Sequence, residues 1–179
     1  ESIMEPVRFD NEVERREAVA IDRLVSIRTL QEAYKTENRR FLSSTDSLID
    51  FYKNGQITII RQIGSMDDSV AVAEGRVSRD SIRIFVRDTL LKGKGSLIDS
   101  ISFIPYSGGK RIHMESVIRK VSGIEIPLFE ATIPYDDLLN GLDRQLVVNL
   151  KAEKEDMKQY TGLKVGDIEN PNNNAGNWE

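Results

Sequence analysis

Apolar residues recur with a helical period over residues 10–38 and with a strand period beyond residue 55. The first stretch reads DNEVERREAVAIDRLVSIRTLQEAYKTEN. At 100° per residue, Val13, Ala20, Leu24, Ile27 and Tyr34 fall in one narrow arc, at spacings of seven, four, three and seven. Glu14, Asp22, Thr29, Glu32 and Thr36 lie on or near the opposite side. No glycine or proline interrupts the stretch, and good helix formers dominate it. The pattern predicts one long amphipathic helix around which the chain is organised. Asp10 or Asn11 is its expected N-cap, with Glu12 and Glu14 in the first turn. Gln31 falls within the apolar arc. An amide there is expected to be partly buried and bonded to nearby backbone; the other reading makes it a contact to a partner helix.

A shorter helix is expected next. Ser43, Ser44 or Thr45 caps it, Leu48, Ile49, Phe51 and Tyr52 supply its packing face, and Asn54-Gly55 ends it. Residues 56–63, QITIIRQI, then read as a strand. Residues 64–69 read as a turn, and 70–77 fit either a strand or a loose helical turn. Alternation of Ile82, Ile84 and Val86 predicts a strand over 81–87. Strands are also expected at 99–105 and at 124–133, where Pro127 implies an edge position or a bulge. Residues 111–121 fit a helix with Met114, Val117, Ile118 and Val121 on one face, or a strand, and the strand is the expected reading because Gly108-Gly109 before it and Ser122-Gly123 after it suit the turns of a meander. A short helix from Pro134 to Leu142 has Asp136 as its expected cap. Residues 145–150, QLVVNL, read as a strand, 151–160 as a charged connection and 163–165 as a last short strand. The expected fold class is α+β: a long N-terminal helix plus a short helix packed on a mostly antiparallel β-sheet of five to seven strands.

Length fits this picture, since 179 residues suit a single domain with a real core. Its expected parts are a helical part at 10–53, a sheet part at 56–168 and a polar tail at 169–179. Charge and cysteine usage remove several function classes. A net charge of -4 with interleaved Lys and Arg argues against a nucleic-acid partner. The chain has no cysteine, hence no disulfide, thiolate metal site or cysteine nucleophile. No apolar run of about twenty residues is present to span a bilayer. The sequence opens on Glu1, and a signal peptide, an anchor helix or a mere boundary upstream would each account for that. Pro6 then marks a break or a fresh helical start.

Few residues carry candidate chemistry. His113 is the single histidine, and in a strand it points away from Ile112 and Met114; a solvated histidine is the expected reading. Asp67 and Asp68 share a loop with Ser65 and Ser69, but two carboxylates make a poor cation site without further oxygen ligands. Asp136 and Asp137 read as helix-capping acids. Gly93-Lys94-Gly95-Ser96 lacks the upstream glycine of a phosphate loop, because position 88 is Asp. Asn170, Asn172, Asn174 and Gly176 lack the charges of a calcium loop and suit tight turns. No catalytic, cofactor-binding or metal-binding residue is expected. Trp178, the only tryptophan, either packs back and pins the tail or stands out as an anchor for a partner; pinning is the expected reading.

Leu24, Ile27, Gln31 and Tyr34 on the helix, with Phe41 and Leu48 beyond it, resemble the region after the anchor in bacterial type IV pilins and type II secretion pseudopilins. The Tyr160-Thr-Gly-Leu-Lys-Val-Gly segment and the NNNAGNWE ending also resemble a membrane-anchored family of Bacteroidetes. The first resemblance implies a long helix lying on an antiparallel sheet and assembly of subunits through that helix. Both imply an upstream membrane anchor. The expected function is therefore a non-enzymatic structural or interaction domain, the periplasmic part of a pilin-like protein anchored in the inner membrane. Its partners would be proteins or further copies, met through Leu24, Ile27, Gln31, Tyr34 and Trp178. A ligand- or peptide-binding module is the alternative.

Overall fold

The structure is a computed structural model and describes residues 5–63 and 78–179. The long helix, α1, spans Pro6–Asn38. It starts at Pro6, not at Asp10 or Asn11, because proline presets φ for a first helical position and lacks only an N–H that would go unpaired there. Glu5 precedes it without a side-chain cap bond. Arg39 stops it in the left-handed conformation, φ 58°, with its N–H donating to the Lys35 carbonyl at 2.8 Å. Helix α2 spans Thr45–Asn54, and the Ser44 hydroxyl accepts from the Ser47 N–H at 3.1 Å. Gly55 follows in extended backbone, φ −77°. Its small size answers a close approach: a Cβ there would lie 2.4 Å from the Phe51 carbonyl oxygen.

The strands form two sheets in place of the expected one. β1, Gln56–Ile63, and β2, Ser78–Phe85, make a two-stranded antiparallel ribbon with Ile57 opposite Ile84 and Ile59 opposite Ile82. β3, His113–Val121, β4, Ile124–Pro134, and β5, Gly162–Gly166, make a three-stranded antiparallel sheet in the order β3-β4-β5. Pro127 pairs opposite Ile118, on the part of β4 that β5 does not reach. That is a local edge, where a missing N–H costs no ladder bond.

Two segments expected to be strands are not. Gly95–Ser102 is a 3-10 helix, and of the expected 99–105 strand only a single bridge, Phe103 to Arg111, exists. Ile98 and Ile101 are both buried, and three residues apart they align on one side of a 3-10 helix. Residues 145–150 belong to a helix, Arg144–Asp156. A short apolar run such as LVV fits either period. The local cap decides: Asp143 Oδ1 accepts from the Leu146 N–H at 3.2 Å. We call this helix α4, and the short Tyr135–Leu138 helix before it α3. Asp136 does not cap α3; it lies in the first turn and pairs with Lys151 at 2.8 Å and Arg144 at 3.3 Å.

α1 is wrapped on two sides. Its buried face packs on β4 and β5, and Val19, Arg23 and Ser26 face the Gly95–Ser102 segment. Phe9, Ala20, Leu24, Ile27 and Leu30 join Phe41, Leu48, Phe129, Ile133, Leu138 and Val165 in one core. Phe41 and Phe129 meet at a ring-centroid distance of 4.8 Å. The tail closes the outer edge of β5. Gly176 bridges to Val165, the Gly166 N–H donates to the Ala175 carbonyl, and the Asn177 N–H donates to the Lys164 carbonyl, both at 2.9 Å.

Candidate functional site

The residues expected to meet a partner mostly face inward. Leu24, Ile27 and Gln31 are fully buried. Tyr34 is half-buried and meets Phe51 edge-on at 5.3 Å. That arc of α1 is occupied by the chain's own sheet, so a second helix has access only to the opposite stripe, around Glu14, Ala18 and Glu32, which are exposed. Gln31 binds backbone in both directions. Its Nε2 donates to the Leu42 carbonyl at 2.7 Å, and its Oε1 accepts from the Leu42 N–H at 2.8 Å. One amide thus mimics a strand partner for the loop between α1 and α2.

Trp178 packs against the core from the tail, and its indole lies over Gly176, where a Cβ would come within 2.4 Å of the ring. Glu179 anchors the same turn. Its carboxylate receives Arg28 at 2.7 and 3.1 Å and the Gly176 N–H at 2.8 Å, which together hold its pKa down at about 2. Asn177 adds a side-chain bond to the Gly162 carbonyl at 2.9 Å. Trp178→Ala is expected to lower stability by about 1–2 kcal/mol, less than full burial of an aromatic would give. The melting temperature then falls by roughly 2–8 °C, and an unchanged value would show that the indole does not pin the tail.

Beside Trp178 lies a cavity of about 270 Å³. α1 contributes Glu17, α3 Tyr135, α4 Lys154, and the link to β5 Gln159 and Tyr160; Lys164, Asn177 and Trp178 close the rest. Local packing fixes each wall. Arg16 donates to the Leu138 and Asn140 carbonyls at 3.0 and 2.8 Å, tying α3 to α1. Lys158, at φ 56°, reverses the chain after α4 so that the Gln159 N–H reaches the Lys154 carbonyl at 2.9 Å. Gly162 lets β5 approach, since a Cβ there would meet the Ile133 carbonyl oxygen at 2.3 Å.

The cavity's ionisable groups are shifted. The Tyr135 hydroxyl donates to Glu17 Oε2 at 3.1 Å. Burial pushes the Glu17 carboxyl up, against the pull of Tyr135 and the Lys154 charge. Burial and the neighbouring Glu17 push the Tyr135 phenol up, and burial does the same for Tyr160. Glu17 was not singled out from the sequence, although it sits four residues after Val13 and seven before Leu24, within the apolar arc. An acid at a core-facing position was the available signal. Because the fold favours neutral Glu17, its contribution to stability falls as pH rises from the ordinary glutamate range through the raised value. Glu17→Gln is therefore expected to raise the melting temperature at pH 8 relative to the wild type. The gain should vanish below pH 4; an equal gain at both would detach it from ionisation.

The remaining sequence candidates stay apart from this cavity. His113 is exposed and bonds Glu115 at 3.0 Å. Lys94, in the glycine loop, pairs with Asp22 of α1. Asp67 and Asp68 lie outside the described residues. Among the described residues no cluster of His, Asp and Glu is placed to hold a metal ion, and no helix is long and apolar enough to cross a membrane.

A second surface feature is apolar. β5 pairs with β4 only from Glu130 to Pro134, so the far half of the β3–β4 hairpin has no third strand. Ile118, Val121 and Ile124 are 57, 37 and 66 % exposed at that end. Beside β3, a groove of about 260 Å³ is lined by Arg40, Phe41, Leu42 and Ser43 and by Ser116, Val117 and Ile118. No protein family, curated protein or solved structure was found to match this chain.

Proposed function

We propose that this chain is a non-enzymatic interaction domain, the periplasmic part of a pilin-like protein anchored in the inner membrane, which meets protein partners or further copies of itself. The observation that carries the interaction reading is the free end of the β3–β4 hairpin, where three large apolar side chains lie in water on strands with unpaired edges. The envelope reading is supported by the long N-terminal helix laid across an antiparallel sheet, the arrangement the pilin resemblance implies. With its apolar arc buried, α1 offers partners its outer stripe, and the hairpin end takes the role first given to Leu24, Ile27 and Gln31. The groove along the open edge of β3 favours a second reading, a peptide-binding module that adds an extended segment to the sheet.

One experiment tests the proposal. A photo-crosslinking residue replaces Ile124 in the protein expressed in cells from its native start, and the cells are then fractionated with alkaline-carbonate extraction. The expected result is a crosslinked adduct in the membrane fraction, absent when the crosslinker replaces the exposed Glu155 on α4. A protein that is freely soluble in the cytoplasm and forms no adduct at position 124 would overturn it.

A further inference from the structure

We propose that the cavity between α1, α4, β5 and the tail is a binding site for a small zwitterion of the free amino-acid class, with the ligand ammonium on Glu17 and its carboxylate at Lys154. An acidic and a basic side chain line one cavity without forming an ion pair. Glu17 and Lys154 both face it, yet no ion pair joins them, and the half-buried Lys154 has no ionic partner among the described residues. Partly desolvated charges left apart are costly. A ligand carrying one charge would neutralise one of them and leave the other; a ligand with both charges, separated by a carbon or two, neutralises both. Glu17 has capacity for a donor, because Oε2 receives Tyr135 and no described residue donates to Oε1.

Size and lining narrow the class further. About 270 Å³ is below the range of drug-sized pockets. That gives room for a ligand of free amino-acid size. Tyr160 and Trp178 supply aromatic surface at the wall, where a cation gains from the ring faces and an apolar side chain gains from burial. Lys164 does not compete for the ligand carboxylate, since Asp167 at 3.4 Å and Glu130 at 3.7 Å hold it. The raised Glu17 carboxyl is consistent with a site that waits for a cation to complete it. This site is separate from the hairpin end, and its occupation does not depend on the interaction reading.

Trp178 reports on the site directly, because it lines the cavity and is the only tryptophan. The twenty free amino acids are titrated against the intact protein at pH 7.5, with indole emission as the readout. Their N-acetyl derivatives, which lack the ammonium, and their amides, which lack the carboxylate, are titrated in parallel. The expected result is a saturable change with at least one amino acid, at least tenfold weaker for both of its derivatives. Glu17→Gln and Lys154→Gln, each verified as folded by circular dichroism, should also weaken it at least tenfold. Three results would each overturn the proposal: no saturable change with any amino acid, equal binding of a derivative that carries one charge, or undiminished binding in either variant.

Discussion

Phe129→Ala is expected to destabilise the protein by about 3–5 kcal/mol, the usual range for emptying an aromatic site in a closed core. Phe129 is fully buried on β4, touches Phe41 from the α1–α2 loop, and sits on the sheet face that receives α1. Removing the ring opens the junction of three elements at once. Neither the sheet nor the helix can move in to fill it, because Gly166 already sits against the Phe129 carbonyl, where a Cβ would come within 2.1 Å of the oxygen. Denaturant titration checks the value. Ile118→Ala, on the exposed end of the neighbouring strand, is the control, and should stay within about 0.5 kcal/mol of the wild type. A Phe129→Ala loss no larger than that control would mean the core is not closed around this ring.

Gln31→Leu is the second large effect, and volume does not explain it. Leucine fills nearly the same space and is the better residue for an apolar arc. The loss comes from Leu42, whose N–H and carbonyl are both left without the amide that paired them. At about 1–3 kcal/mol for each such group when water is excluded, and less where water reaches it, the expected cost is about 2–4 kcal/mol. Gln31→Glu separates the two bonds. Ionised, it still accepts from the Leu42 N–H but cannot donate to the carbonyl, so its stability should recover in part as pH falls and the acid gains a proton. Thermal melts of both variants at pH 5 and pH 8 make the comparison. A leucine variant as stable as the wild type would show that the α1–α2 loop does not need Gln31.

The elements that carry their own local signals were legible in the sequence. α1 declared itself by period, α2 by Ser44 and the Asn54-Gly55 end, and the β3–β4 hairpin by Ser122-Gly123 between two strand patterns. α4 was not, because LVV satisfies both periods and Asp143, its cap, follows Leu142 without a break in pattern. The 3-10 segment Gly95–Ser102 failed for a related reason: an isoleucine every third residue looks like neither common period. The division into two sheets depends on which strands pair, and pairing is not encoded locally. The cavity was the least legible part. Its walls come from residues 17, 135, 154, 160, 164 and 178; of these only Trp178 is a sequence candidate for a contact, while Tyr160 and Lys164 enter the sequence reading only through a family resemblance. The polar, asparagine-rich tail gave no apolar pattern, yet it docks through backbone bonds to β5 and one ion pair to Arg28.

That ion pair joins residues 151 positions apart. The surface it closes is assembled from the two ends of the described chain, α1 and the segment after residue 162. During synthesis at roughly 5–20 residues per second, α1 emerges well before β5, with Leu24, Ile27 and Leu30 facing water. The strand that covers much of that face, β5, follows many seconds later. A helix with an uncovered apolar arc is a binding site for chaperones and for other nascent chains over the whole interval. Folding of this segment is therefore expected to wait until β5 has emerged, with slow kinetics set by distant contacts, and ribosome-bound chains that stop before Gly162 should remain sensitive to protease.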